Sequence, residues 1–177
     1  MTSMMKKSVL KHLTEDRHVD VNLHNPVVDE EERVATFFLY NLSGQVVGYQ
    51  QYRPDADKML HNNPKLGRYF TYTCKNKLPL FGVETLNRSG TVFLTEGLFD
   101  ACRLTELGCP AVASLSNNPK QALPFFRALN RRVVAVCDND QAGKKLAKYG
   151  TDFYVVSKGD LGDAKESEVL NLVKEFS

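Results

Sequence analysis

The pattern of apolar and polar positions changes character near residue 90. Beyond it, short continuous apolar runs alternate with helical stretches. Residues 91–95, 111–115, 132–137 and 153–156 read as strands. A helical stretch follows the first of these and runs to Leu107, with Gly108 as its stop. A second helix is expected over 118–130, with Asn118 as N-cap and Pro119 in the first position. A third runs over 141–149 and is stopped by Gly150. A fourth covers 166–176, with Val169, Leu170, Leu172, Val173 and Phe176 on its apolar stripe. Strands alternating with helices at this spacing predict βαβ units and a parallel sheet. Unbroken apolar strands are what a sheet needs when helices cover both of its faces.

The first half reads differently. Residues 34–40 and 45–52 are rich in strand formers and flank Asn41, Ser43 and Gly44, which predicts a hairpin. Residues 1–33 are polar and weakly periodic, with a short helix over 8–13. The acidic run 29–32 reads as a solvated loop, and residues 53–85 as irregular. The expected division is a small mixed α+β basic subdomain over 1–88, followed by an α/β unit over 89–177 whose parallel sheet is flanked by helices.

Composition narrows the function classes. The chain has 177 residues, enough for one domain with a small appendage and a real core. It is 42% hydrophobic and 25% charged, which excludes disordered, collagenous and coiled-coil proteins. No apolar run approaches the roughly 20 residues of a membrane helix, and the basic N-terminus lacks the apolar core of a signal peptide, so a cytoplasmic location is expected. Cys74, Cys102, Cys109 and Cys137 form no CxxC pair, which excludes a local zinc ribbon and points to reduced, mostly buried thiols. His12, His18, His24 and His61 match no metal-ligand spacing, and His18 and His24 read as solvated surface residues. The net charge of +2 hides a local excess. Between Tyr49 and Leu80 there are six Lys/Arg against two acids, interleaved with Tyr49, Tyr52, Tyr69, Phe70 and Tyr72.

In open α/β sheets, sites lie beyond the carboxyl ends of the strands. Here the first strand ends at Glu96, the third at Asp138 and Asp140, and the fourth is followed by Asp160 and Asp163. If these strands are neighbours, their carboxylates converge. Such a cluster calls for a neutralising cation, and carboxylates suit the hard ions Mg²⁺ or Mn²⁺, which serve phosphoryl chemistry. Gly97 is expected to let the chain turn tightly after Glu96, and Gly143 to let the next helix pack close to the sheet.

Thr95-Glu96-Gly97-Leu98-Phe99-Asp100, followed by Asp138-Asn139-Asp140-Gln141-Ala142-Gly143, resembles the motifs of the Toprim domain. That domain is shared by bacterial-type DNA primases, type IA and type II topoisomerases and several nucleases. The resemblance implies a divalent-metal site. Glu96 would be acid/base or ligand, Asp138 and Asp140 the metal-binding aspartates, and Asp160 and Asp163 a looser further match, with Asp100 and Gly97 in support. Upstream, residues 39–48, Arg53, residues 67–71 and residues 80–86 are similar to the basic segment preceding Toprim in primase catalytic cores. This implies that Arg53, Lys65 and Arg68 contact phosphates or nucleotide while Tyr52 and Tyr69 stack on bases.

The resemblance covers about residues 34–170. Its implications are a phage- or mobile-element-type primase core that binds single-stranded DNA and nucleoside triphosphates and catalyses Mg²⁺- or Mn²⁺-dependent nucleotidyl transfer. A helicase or zinc-domain protein would act in trans. A metal-dependent nuclease and a non-catalytic nucleic-acid-binding module of a replication complex are the alternatives. A receiver-like phosphoacceptor domain using Lys158 is a weaker one.

Overall fold

The computed structural model describes residues 6–58 and 62–177; His61 lies outside the described residues. Two four-stranded sheets organise it. The first is an antiparallel meander of β1 (Val27–Asp29), β2 (Val34–Tyr40), β3 (Val46–Tyr52) and β4 (Tyr69–Thr73), in that order. The second is parallel and built from β5 (Val92–Thr95), β6 (Ala111–Ala113), β7 (Val133–Cys137) and β8 (Asp152–Val155), in the order β6-β5-β7-β8. Every residue of β5, β6 and β7 is buried, as continuous apolar strands require.

Helix α3 (Leu98–Glu106) covers one face of the parallel sheet together with α5 (Glu166–Phe176). The opposite face is covered by α4 (Leu123–Ala128) and by a 3₁₀ run, Gly143–Tyr149. The core on the α3 side takes in both sheets: Phe99 meets Phe37 edge-on at 5.9 Å and Tyr52 at 4.7 Å between ring centroids. Two residues stitch the sheets together. Leu80 bridges Tyr40 at the end of β2, and Phe81 bridges Ala113 in β6. The end of the meander is thereby fixed beside the parallel sheet.

The N-terminal helices dock onto this frame. Helix α1 (Val9–Glu15) buries Val9 and Leu13 and is capped by Ser8. The Glu30 carboxylate accepts the Val9 and Leu10 N–H groups at 2.8 and 3.0 Å, so one acid of the run read as solvated closes the helix start. Helix α2 (Val21–His24), capped by Asp20, was absent from the sequence pattern. Its His24 is a correction: the side chain is 0% exposed, not solvated, bonded to Glu84 at 2.6 Å and Thr105 at 3.1 Å. His18 is partly buried and pairs with Glu106 at 2.8 Å.

Three local expectations change. Residues 143–149 form a 3₁₀ run, because Gly143, Leu146 and Tyr149 are all buried at intervals of three, the period of that helix. The helix expected from Asn118 begins only at Leu123, after a 3₁₀ turn at Lys120–Ala122, because the Pro124 ring fits only a first turn. Asn118 therefore caps nothing and accepts the Tyr149 hydroxyl instead. Within the stretch read as irregular, β4 pairs along β3 from Tyr52–Tyr69 to Gly48–Thr73. All four cysteines are free; Cys102 and Cys137 are buried and Cys74 is exposed. Among the described residues no helix is long and apolar enough to cross a membrane.

Candidate active site

Strands β5, β7 and β8 are consecutive in the sheet and point the same way, so the acids following them come to one edge. Glu96, Asp138 and Asp160 line one cleft of about 270 Å³, together with Asp100 and Arg17. The other wall comes from the first sheet. Gln50 and Tyr69 line it from β3 and β4, on the same sheet face as Phe37 and Tyr52. Leu115, held at a positive φ of 55° just after β6, also lines it.

Local hydrogen bonds hold the acidic loops in register. The Asn139 N–H donates to the Gly159 carbonyl at 2.9 Å, and its side-chain amide donates to the Ser157 carbonyl at 2.8 Å. The residue between the two aspartates therefore ties the β7 loop to the β8 loop and brings Asp138 beside Asp160. Asp160 caps the following turn by accepting the Asp163 N–H at 3.0 Å. Asp140 Oδ1 accepts the Gly143 N–H at 2.5 Å. A Cβ on Gly143 would stand 2.7–2.9 Å from Asp138 Cβ, O and N, so only glycine lets this turn close on the aspartate. Gly143→Ala is expected to destabilise the fold by about 1–3 kcal/mol and to displace Asp138. Thermal melting with and without Mg²⁺ checks both: the melting point falls and its shift on adding Mg²⁺ shrinks.

Gly97 is needed for a different reason than the expected tight turn. Its φ is an ordinary −88°, but a Cβ there would meet Asp100 Oδ2 at 2.5 Å. Asp100 is 6% exposed. It accepts the Gly97 N–H at 3.1 Å and the Gly162 N–H at 2.6 Å, joining the turn after β5 to the loop after β8.

The electrostatics follow from this convergence. Burial first, then Asp160 and Asp138, push the Asp100 carboxyl up to about 7 against its two N–H donors. Asp138 is pushed up to about 6, by desolvation and then by Glu96, Asp160 and Asp140. Glu96 is raised by burial and by Asp140. These carboxylates oppose one another's ionisation, and as hard oxygen donors their chemistry fits a divalent cation. As they stand, no three His, Cys, Asp or Glu among the described residues are drawn into a chelating group.

The remaining residues singled out in the sequence fall elsewhere. Asp140 and Asp163 do not line the cleft, and Asp163 is exposed and pairs with Arg17 at 3.2 Å. Arg53 donates to the Lys65 carbonyl at 3.2 Å and Arg68 to the Ala56 carbonyl at 2.7 Å. Lys65 is exposed in the 3₁₀ turn Pro64–Leu66. Tyr69 is 45% exposed. Tyr52 is a correction to the stacking expectation: it is 4% exposed, its ring packs on Phe99 and His12, and its hydroxyl bonds His12 Nε2 at 2.9 Å.

Arg17 was missed. Its guanidinium carbon lies 4.1 Å from the Phe99 ring centroid, and its Nε is buried without a partner, a state that costs about 1–3 kcal/mol. It sits in a charged tetrad, Glu15-Asp16-Arg17-His18, that carries no motif, and only the docking of α1 brings it to the cleft.

Residues 93–158 match the family model described as Toprim-like. No curated protein matches the chain in sequence. Among solved structures, the primase fragment of the bacteriophage T7 primase-helicase is 17% identical, with a TM-score of 0.61, covering 88% of this chain and 68% of that one. The RNA polymerase domain of Mycobacterium tuberculosis primase DnaG, in complex with double-stranded DNA, is 19% identical at a TM-score of 0.58, covering 93% and 60%. A DnaG catalytic domain bound to single-stranded DNA is 20% identical at 0.51, covering 90% and 64%. The chain thus spans about two thirds of the length of these structures or less. Residues 93–158 are a Toprim-like segment, and the fold that surrounds them resembles the catalytic cores of primases.

Proposed function

We propose that the chain is a primase-like catalytic core that binds single-stranded DNA and joins nucleotides in a divalent-metal-dependent reaction. One observation carries the reading: acids at the ends of three consecutive parallel strands face the antiparallel sheet across a single cleft. In this reading Asp138, Asp140 and Asp160 hold Mg²⁺ or Mn²⁺, and Glu96 acts as acid/base or as a further ligand. The ion supplies Lewis-acid stabilisation of a phosphoryl oxygen and activation of the attacking hydroxyl. Tyr69 offers a half-exposed ring to a base, and Arg53, Lys65 and Arg68 lie nearby in the chain, where they would meet a strand's phosphates. Asp163, paired with Arg17, stays at the rim. A helicase or a zinc-domain protein is the partner class expected of such a core.

The test is extension on a single-stranded template with nucleoside triphosphates. Extension is expected with Mg²⁺ or Mn²⁺ and is expected to stop on chelation. Glu96→Gln should lower it by roughly 10²–10⁴-fold without lowering the melting point. Cleavage of a labelled strand without added triphosphates would assign a nuclease instead. Chelator-insensitive binding with no turnover would assign a binding module.

A further inference from the structure

We propose that the face of the parallel sheet covered by α4 and the 3₁₀ run Gly143–Tyr149 holds the sugar-phosphate backbone of a nucleic-acid strand where it leaves the acidic cleft. This rests on the reading of the cleft as a site that works on nucleic acid. The charge of the segments on that face is one-sided. Residues 107–137 and 141–151 contain no Asp or Glu and seven Lys/Arg. Two of these are committed: Arg132 pairs with Asp152 at 2.7 Å, and Arg131 donates to the carbonyls of Leu86, Arg88 and Gly90. The other five, Lys120, Arg127, Lys144, Lys145 and Lys148, are exposed. Among the described residues none of the five is in an ion pair. Lys120, Arg127 and Lys148 line one hollow of about 340 Å³ with Leu123 and Tyr149, and the Lys148 ammonium lies 5.2 Å from the Tyr149 ring centroid. Lys145 and Lys148 are three apart in a 3₁₀ run, so they share one side of it with a rise of about 6 Å between them. Cations gathered in this way gain most from a polyanion, which sheds its counterions on binding.

This hollow is joined to the cleft. Leu115 lines both the cleft and a middle hollow of about 450 Å³, and Lys120 lines both the middle hollow and the basic one. The middle hollow lies between β4 and residues 114–121. Its Thr71, Thr73, Ser114, Ser116 and Asn118 are of the types that hold phosphates without reading sequence. A strand passing out of the cleft beside Leu115 meets this polar step and then Lys120, Arg127 and Lys148.

The same face is poorly made for a protein partner. Large apolar side chains are exposed elsewhere, but among the described residues none falls between Leu107 and Phe153. Protein interfaces draw most of their affinity from a few buried aromatic or apolar anchors. A polar, strongly positive surface is what protein–nucleic acid interfaces have instead.

The test is anisotropy of fluorescent single-stranded oligonucleotides, a short one that the cleft accommodates and one several times longer, over a series of salt concentrations. Lys120→Gln/Lys148→Gln is compared with Lys165→Gln/Lys174→Gln, which removes the same charge around α5 on the opposite face. The wild type is expected to bind the longer strand more tightly. Lys120→Gln/Lys148→Gln should weaken the longer strand at least fivefold. It should flatten the slope of log affinity on log salt by about 1.4, at roughly 0.7 for each phosphate contact to a single strand. The short strand should change less than twofold, and the α5 variant should leave both strands within twofold. Arg127→Gln alone, with about half that change in slope, is read in its place if the double variant melts lower. Equal affinity of the wild type for the two strands would overturn the proposal. So would an unchanged slope, a loss shared by the short strand, or a loss matched by the α5 variant. Loss of polyglutamate binding in Lys120→Gln/Lys148→Gln with strand binding intact would assign the face to an acidic protein and overturn it too. Strand binding that depends on length and on these lysines, in a protein that incorporates no nucleotide, would uphold the inference and overturn the primase reading. Incorporation with lysine-independent strand binding would do the reverse.

Discussion

Asp138→Asn is expected to make the metal-free protein more stable and at the same time to abolish its response to divalent metal. Asp138 stands at the end of β7, where desolvation, Glu96, Asp160 and Asp140 all oppose its ionisation and push its carboxyl up to about 6. At neutral pH the folded protein therefore holds a carboxylate where the unfolded chain would hold it more comfortably. Removing that charge relieves the strain by about 1–2 kcal/mol, once solvent screening of a partly exposed group is allowed for. For a chain of this length that is a rise in melting temperature of roughly 2–8 °C. The asparagine keeps the shape of the side chain, so the tie from Asn139 to Ser157 and Gly159 is left in place. Mg²⁺ should raise the melting point of the wild type and leave that of Asp138→Asn where it was, and template-directed extension should be lost in the variant. A variant that melts lower than the wild type without metal, or that still responds to Mg²⁺, would show that the acids at this edge do not act as one electrostatic unit.

How far this edge was legible in the sequence depends on the range of the forces that build it. Strands β5, β6 and β7 announce themselves because each is a short, continuously apolar or small-residue run, the composition that burial in a parallel sheet requires, and the edge strand β8 is marked by its run Phe153-Tyr154-Val155. The acids after β5, β7 and β8 could be placed at strand ends for the same reason. That they share one edge depends on strand order, and β5-β7-β8 adjacency is set by packing of whole elements, not by local pattern. Strand β4 was harder to read: four of its five residues are exposed, so no buried/exposed alternation marks it, and it is held by pairing to β3 and by Tyr69 and Tyr72 packing on Tyr52 and Tyr49. Arg17 and His24 were illegible in the same way. Each gains its role from a surface more than 50 residues away, Phe99 for one and Glu84 with Thr105 for the other. Asn139 was nearer to hand: an amide between two catalytic-type aspartates has both a donor and an acceptor to spend on a neighbouring loop, and here it spends its donors.

The largest structural effect is expected at Asp100, which contributes to the cleft wall through the two loops it joins. Its two oxygens accept the N–H groups of Gly97 and Gly162, one from the turn carrying Glu96 and one from the loop carrying Asp160. Both donors point at a group that is 6% exposed, so water does not replace it easily. Asp100→Ala leaves two donors without an acceptor in a dry site, each worth about 1–3 kcal/mol; losing a carboxyl that burial and Asp160 push up to about 7 offsets part of this, and the melting point should fall by roughly 2–10 °C. Asp100→Asn is the sharper probe. Its oxygen can serve one N–H, but its amide NH₂ then confronts the other, so the two loops are pushed apart while size is conserved. Extension activity is expected to fall at least tenfold in Asp100→Asn. Response to Mg²⁺ should fall with it, because Asp160 rides on the displaced loop. Wild-type activity in an Asp100→Asn variant that has lost stability would separate the two roles and reduce Asp100 to a fold residue. Loss of activity at an unchanged melting point would instead place its carboxyl in contact with the reacting groups.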